Sequence, residues 1–198
     1  MMSLGPDLLS AKASFVWIAA LSAVLVFHCT HLIRMHGERR CYHSAHVTML
    51  GGMLYMYATL AFDLGWPERP GWIILYSATS AGIGVIIVWI SLGRRQRRSR
   101  LWLLALVQQA SMIYMWAPME DWIPALSWGL VLYFTLEAAG WLIVACQKLG
   151  PGAALGVAGS SAHAIAPDSA LSDLCQSTMA GSMAYMFAGM QLMMSTPR

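Results

Sequence analysis

Apolar residues gather in six stretches, at 14–33, 44–62, 72–92, 101–118, 125–146 and 171–194. Each approaches the roughly 20 residues that an α-helix needs to cross about 30 Å of hydrocarbon. The connections between them carry the polar and helix-breaking residues, with WPERPGW at 66–72, APMEDWIP at 117–124 and a Gly/Ala/Ser-rich stretch after Lys148. The pattern predicts an all-α integral membrane protein of six transmembrane helices. It also predicts one helix-bundle domain over 1–198, because no polar stretch is long enough for a second.

Composition agrees: 58% of residues are hydrophobic and 11% charged, whereas charged residues make up about a quarter of a soluble protein. The net charge of +3 is not spread as a nucleic-acid-binding face, since Arg94, Arg95, Arg97, Arg98 and Arg100 crowd into one connection. Such a run suits anionic headgroups. The first segment has no basic run before it and carries Asp7 early, so it is expected to be retained rather than cleaved.

The distribution of positive charge sets the expected orientation. With the N-terminus outside, the cytoplasmic connections hold Arg34, Arg39, Arg40, the five arginines at 94–100 and Lys148, nine of the 12 Lys and Arg. Asp63, Glu68, Glu120 and Asp121 then lie outside. Trp66, Trp72, Trp116 and Trp122 would form an outer aromatic belt, and Trp89 and Trp102 an inner one. Both termini are expected to be extracytoplasmic. Cys29, Cys41, Cys146 and Cys175 all fall on the reducing side, and no CxxC or zinc-type spacing occurs.

A hexapeptide appears three times: MLYMYA at 53–58, MIYMWA at 112–117 and MAYMFA at 183–188. TMLGGMLYMYA at 48–58 further matches TMAGSMAYMFA at 178–188 in seven of eleven positions. The copies are 59 and 71 residues apart, so the repeating unit is a helix hairpin used three times. All copies sit on even-numbered helices and run in the same direction.

On a helix, spacings of three, four and seven share a face. His46, Met49, Met53 and Met56 make one stripe; Gln108, Met112, Met115 and Met119 a second; Gln176, Met179, Met183, Met186 and Met190 a third. Two readings stay open. Methionine is a flexible apolar filler at helix contacts, with Gly51, Gly52, Gly181 and Ser182 allowing close approach. It is equally a soft thioether ligand that selects Cu(I). The repeated tyrosines fall about 200° around from the first methionine and should pack on neighbouring helices.

Other polar groups lie within the apolar segments. Glu137, in FTLEAAGW, sits mid-helix, and Gln108 and Gln109 lie at comparable depth. Each suits either a structural hydrogen bond or the handling of a proton or ion. His28, His31, His36, His43 and His46 gather around the first connection, and His28 and His46 fall at similar depth on adjacent helices, where they could ligate a metal or a haem. No nucleophile elbow, P-loop, HExxH or dinucleotide fingerprint is present, so no enzyme is expected.

HVTMLGGMLYM at 46–56, QQASMIYMWAPM at 108–119 and CQSTMAGSMAYMF at 175–187 resemble an actinobacterial family of multi-pass membrane proteins, the domain of unknown function 5134. That resemblance implies fold and membrane location and no activity. Met49-x-x-x-Met53 and Met179-x-x-x-Met183 look like the MxxxM pair lining the pore of Ctr-type copper transporters, although Gln108 stands where the fourth helix would carry its first methionine. The expected function is binding or transport of Cu(I) through a methionine-lined bundle. The alternatives are an accessory or assembly subunit with a membrane protein partner, and a haem-binding redox protein using His28 and His46.

Overall fold

The computed structural model describes residues 10–64, 69–92, 96–149 and 169–195, with side chains from 101 onward in the third segment. The described residues form six α-helices: α1 (Ala11–Arg34), α2 (Glu38–Phe62), α3 (Arg69–Leu92), α4 (Gln96–Trp116), α5 (Pro124–Leu149) and α6 (Ala170–Ser195), with a 3-10 turn at Met119–Asp121 between α4 and α5. Every apolar stretch coincides with one helix. The fourth ends at Trp116 rather than 118, where Pro118 cannot continue it. The side chains of the arginine run at 94–100, together with Trp66 and Glu68, lie outside the described residues.

Local chemistry sets the ends. Between α1 and α2 the chain turns through Gly37 at φ +63°, a conformation that glycine enters without a Cβ penalty. α2 stops at Asp63, which takes the left-handed conformation (φ 51°) while its N–H donates to Thr59 O. Aspartate tolerates that region better than most side chains. Pro124 opens α5, where its missing N–H costs nothing.

Three helices, α1, α3 and α5, are long and apolar enough to cross a membrane, and the apolar part of α4, Leu101–Trp116, is shorter. The six expected spans therefore resolve into two kinds of helix. α3 buries only Tyr76, Ile83 and Ile90, one seam at a seven-residue period, and leaves Ile74, Val85 and Trp89 exposed. α2 instead buries 11 of its 25 residues and α6 14 of its 26, including His43, His46, Ser172, Asp173, Gln176 and Gln191. Those polar groups are why α2 and α6 fall short of the apolarity of their neighbours.

The chain forms two compact units, Leu25–Trp122 and Met1–Val24 with Ile123–Arg198. In the first, α3 and α4 pack along each other and α2 touches both. The Tyr76 hydroxyl donates to Thr48 O (3.2 Å), lying against Gly52, where a Cβ would overlap it. Gln109 Nε2 donates to Ala45 O (2.7 Å) and Trp102 Nε1 to Glu38 Oε1 (3.0 Å). In the second, α5 and α6 pack lengthwise. Ser177 Oγ donates to Ala138 O (2.9 Å), the rings of Phe134 and Phe187 stack at 6.2 Å, and Lys148 Nζ pairs with Asp173 Oδ2 at 2.7 Å.

The aromatic belt needs correction. Trp89 is 77% exposed, as a belt residue should be, but Trp102, Trp116 and Trp122 are buried. Trp116 stacks on Trp72 at 5.2 Å and 8°, so this pair fastens α3 to α4. An indole near a helix end has two apolar destinations, and packing took these three.

Candidate functional site

At its methionine and aromatic positions the hexapeptide has a shared burial pattern in all three copies. Its two methionines are buried: Met53 and Met56 on α2, Met112 and Met115 on α4, Met183 and Met186 on α6. The aromatic residue after them is buried too, as Tyr57, Trp116 and Phe187. The tyrosine between them is not, and in each copy it meets a tryptophan: Tyr55 on Trp72 (5.6 Å), Tyr114 on Trp122 (5.1 Å), Tyr185 on Trp17 (5.5 Å). Repetition of sequence has become repetition of environment.

The stripes continue beyond the hexapeptides. Met49 (1% exposed), Met179 (0%) and Met190 (2%) are also buried, whereas Met119 is only half-buried. Gln108 and Gln176, at the head of their stripes, are buried as well. In the unit of α2 to α4, the Met112 methyl reaches the backbone of α2, 3.3 Å from where a Cβ at Gly52 would lie. The methionines of α6 belong to the other unit. Thioether sulfur needs no deprotonation to act as a ligand, so burial does not disable it.

The histidines form a tighter cluster than their spacing suggested. His28 and His46, the pair expected to ligate, lie stacked with ring centroids 4.9 Å apart and planes within 2°. Held face to face, they leave no room for a haem between them. His43, not singled out from the sequence, has its Nδ1 2.9 Å from His28 Nδ1. His31 stacks on His43 at 5.1 Å. The signal for the missed pair was present, since His28/His31 and His43/His46 are both spaced by three. Among the described residues, no group of three or more His, Cys, Asp or Glu is placed to hold a metal ion.

The remaining intramembrane polar groups are held separately. Gln109 is committed through its amide nitrogen to Ala45 O, while its Oε1 is buried without a partner. Glu137 is half-buried on α5, one turn beyond Tyr133. The four cysteines are free, with Cys41 and Cys146 exposed, Cys29 half-buried and Cys175 buried.

These features define an all-helical protein of the membrane class, with three helices fit to cross a bilayer and methionine-rich helices buried among its contacts. The family model of the domain of unknown function DUF5134 matches residues 1–190, and the chain belongs to that family. No curated protein and no solved structure matches it.

Proposed function

We propose that this protein is a six-pass cell-membrane protein, both termini extracytoplasmic, that handles Cu(I) through the methionines of α2, α4 and α6. The observation that carries the reading is the burial of Met49, Met53, Met56, Met112, Met115, Met179, Met183 and Met186, all at 2% exposure or less. Eight buried thioethers, in a recurring pattern on three helices, supply the soft neutral donors that Cu(I) prefers and that Na⁺, Mg²⁺ and Zn²⁺ do not. The MxxxM spacing on α2 and α6, similar to that of Ctr-type transporters, supports the same cargo.

Purified protein titrated with Cu(I) against a chromogenic competitor tests it. Wild type should take up copper stoichiometrically. Met53→Leu with Met183→Leu should abolish uptake and leave helical content unchanged, because Leu and Met are similar in volume. Unchanged stoichiometry in the double variant would leave the methionines as packing alone.

A further inference from the structure

The end of α1 and the start of α2 carry one short pattern twice, His28-x-x-His31 and His43-x-x-His46. A spacing of three puts both members of each pair on one helix face, and the four rings meet. The centroid separations are 5.0 Å for His28 and His43, 4.9 Å for His28 and His46, and 5.1 Å for His31 and His43. His31 Nδ1–H donates to Phe27 O and His46 Nδ1–H to Tyr42 O, each at 2.8 Å, so each of these rings keeps one tautomer.

His28 and His43 are joined differently. Both are 1% exposed, and their Nδ1 atoms lie 2.9 Å apart. A neutral imidazole carries one N–H and one lone pair, so a hydrogen bond between two like nitrogens forces the rings into opposite tautomers. One ring donates from Nδ1 and keeps its lone pair on Nε2; the other accepts at Nδ1 and keeps its proton on Nε2. Both Nε2 atoms are buried without a hydrogen-bond partner among the described residues. One is therefore an acceptor lacking a donor and the other a donor lacking an acceptor, a deficit that water ordinarily relieves. His43 stands six residues from the exposed Gly37, about 9 Å along the helix, so solvent lies less than two turns away.

We propose that His28 and His43 form a proton-relay site that exchanges protons with water through their two Nε2 atoms, independent of the thioether reading above. The step balances with water as the sole co-reactant. Hydronium gives a proton to the free Nε2 of the donor ring, and that ring's Nδ1–H passes its own proton across the 2.9 Å contact to the partner's Nδ1. The partner's Nε2–H then leaves to water. One proton has entered and one has left, both rings end neutral, and their tautomers are interchanged. The same geometry serves the return transfer, so the pair is a two-state toggle. No carboxylate acts on either ring; the titratable groups around them are the other histidines of the cluster. A proton in passage thus meets no anion that would trap it. His46, stacked on His28, and His31, stacked on His43, keep their carbonyl bonds throughout and wall the path.

The test is nitrogen NMR of the full chain in detergent micelles at neutral pH, with isotope-labelled histidine. Wild type should show a coupling between the two Nδ1 atoms through their hydrogen bond. The nitrogens of His28 and His43 should fall between the protonated and unprotonated positions, while His31 and His46 keep separate signals for Nδ1–H and Nε2. Such averaging is decisive, because the bridging proton cannot cross alone without leaving an imidazolate beside an imidazolium. Interchange of the tautomers requires loading at one Nε2 and release at the other. His43→Gln should leave His28 in a single tautomer, and His36→Gln, in the exposed turn, should change nothing. Absence of the Nδ1–Nδ1 coupling in wild type overturns the relay, and so does a coupled pair whose nitrogens stay at fixed positions as temperature rises. Both are read from wild type, so a variant that fails to fold does not blunt the test. Averaging of His28 that persists in His43→Gln also overturns it.

Discussion

Gly52→Ala is the sharpest perturbation of the helix packing. The added methyl would overlap the Tyr76 hydroxyl, lie 2.9 Å from Tyr76 Cζ and 3.3 Å from the Met112 methyl. Tyr76 is fully buried and its hydroxyl is engaged with Thr48 O, so it has no open direction in which to retreat. Forcing an extra methyl into a filled contact costs about 1–3 kcal/mol, and losing the tyrosine hydrogen bond adds about 1 kcal/mol. Better helix propensity of alanine returns about 1 kcal/mol. The net expectation is destabilisation of about 1–3 kcal/mol, read as a lower thermal midpoint in detergent by fluorescence-detected size exclusion. Gly51→Ala is the matched control, because nothing lies within 4 Å of its Cβ position. It should be neutral or slightly stabilising. Adding Tyr76→Phe to Gly52→Ala should restore part of the loss, since the hydroxyl overlap goes and the Cζ contact stays. Equal midpoints for Gly51→Ala and Gly52→Ala would refute the close approach of α2 and α3.

Three further outcomes are expected. Lys148→Met leaves the Asp173 carboxylate, 7% exposed, without its cation; because Lys148 itself is 30% exposed, the cost should be about 1–3 kcal/mol, and Asp173→Asn in the same chain should recover part of it in the same thermal assay. An uncharged maleimide applied to detergent-solubilised protein should label Cys41 and Cys146 quickly and Cys175 only after denaturation. An impermeant maleimide on intact cells should miss Cys41 if both termini are outside, and rapid labelling there would reverse the proposed orientation.

Periodicity located the helices well because lipid-length apolar runs and Pro or Gly punctuation act locally. It also placed the methionines on buried faces, since both methionines and the aromatic residue after them are buried in all three copies of the hexapeptide. What it misjudged depended on choices between equally apolar surroundings. Trp102, Trp116 and Trp122 read as interfacial anchors, yet their partners Tyr42, Trp72 and Tyr114 come from other turns or helices, which no single segment announces. The histidine cluster was half legible. His28 and His46 were paired by depth, but the 2.9 Å contact of His28 with His43 depends on the handedness of the turn at Gly37, which depth alone does not give.

The alternation of apolar and polar-bearing helices also bears on how the chain is made. α1, α3 and α5 can each leave the translocon for lipid on their own account, whereas α2, with Glu38, Arg39, Arg40 and two buried histidines, gains too little to stay there unaccompanied. α6, with Asp173, Gln176 and Gln191, is in the same position. If all six helices insert, α4 and α6 would be retained by docking on α3 and α5, the apolar helices that precede them and along which they pack, whereas the partners of α2, namely α3 and α4, emerge only after it. α4 follows α3 after a connection of only three residues, 93–95. α6 waits longest, because residues 150–169 must be synthesised after α5 before it emerges. During that interval the Ala138 carbonyl and Phe134 would lack the contacts that Ser177 and Phe187 later supply.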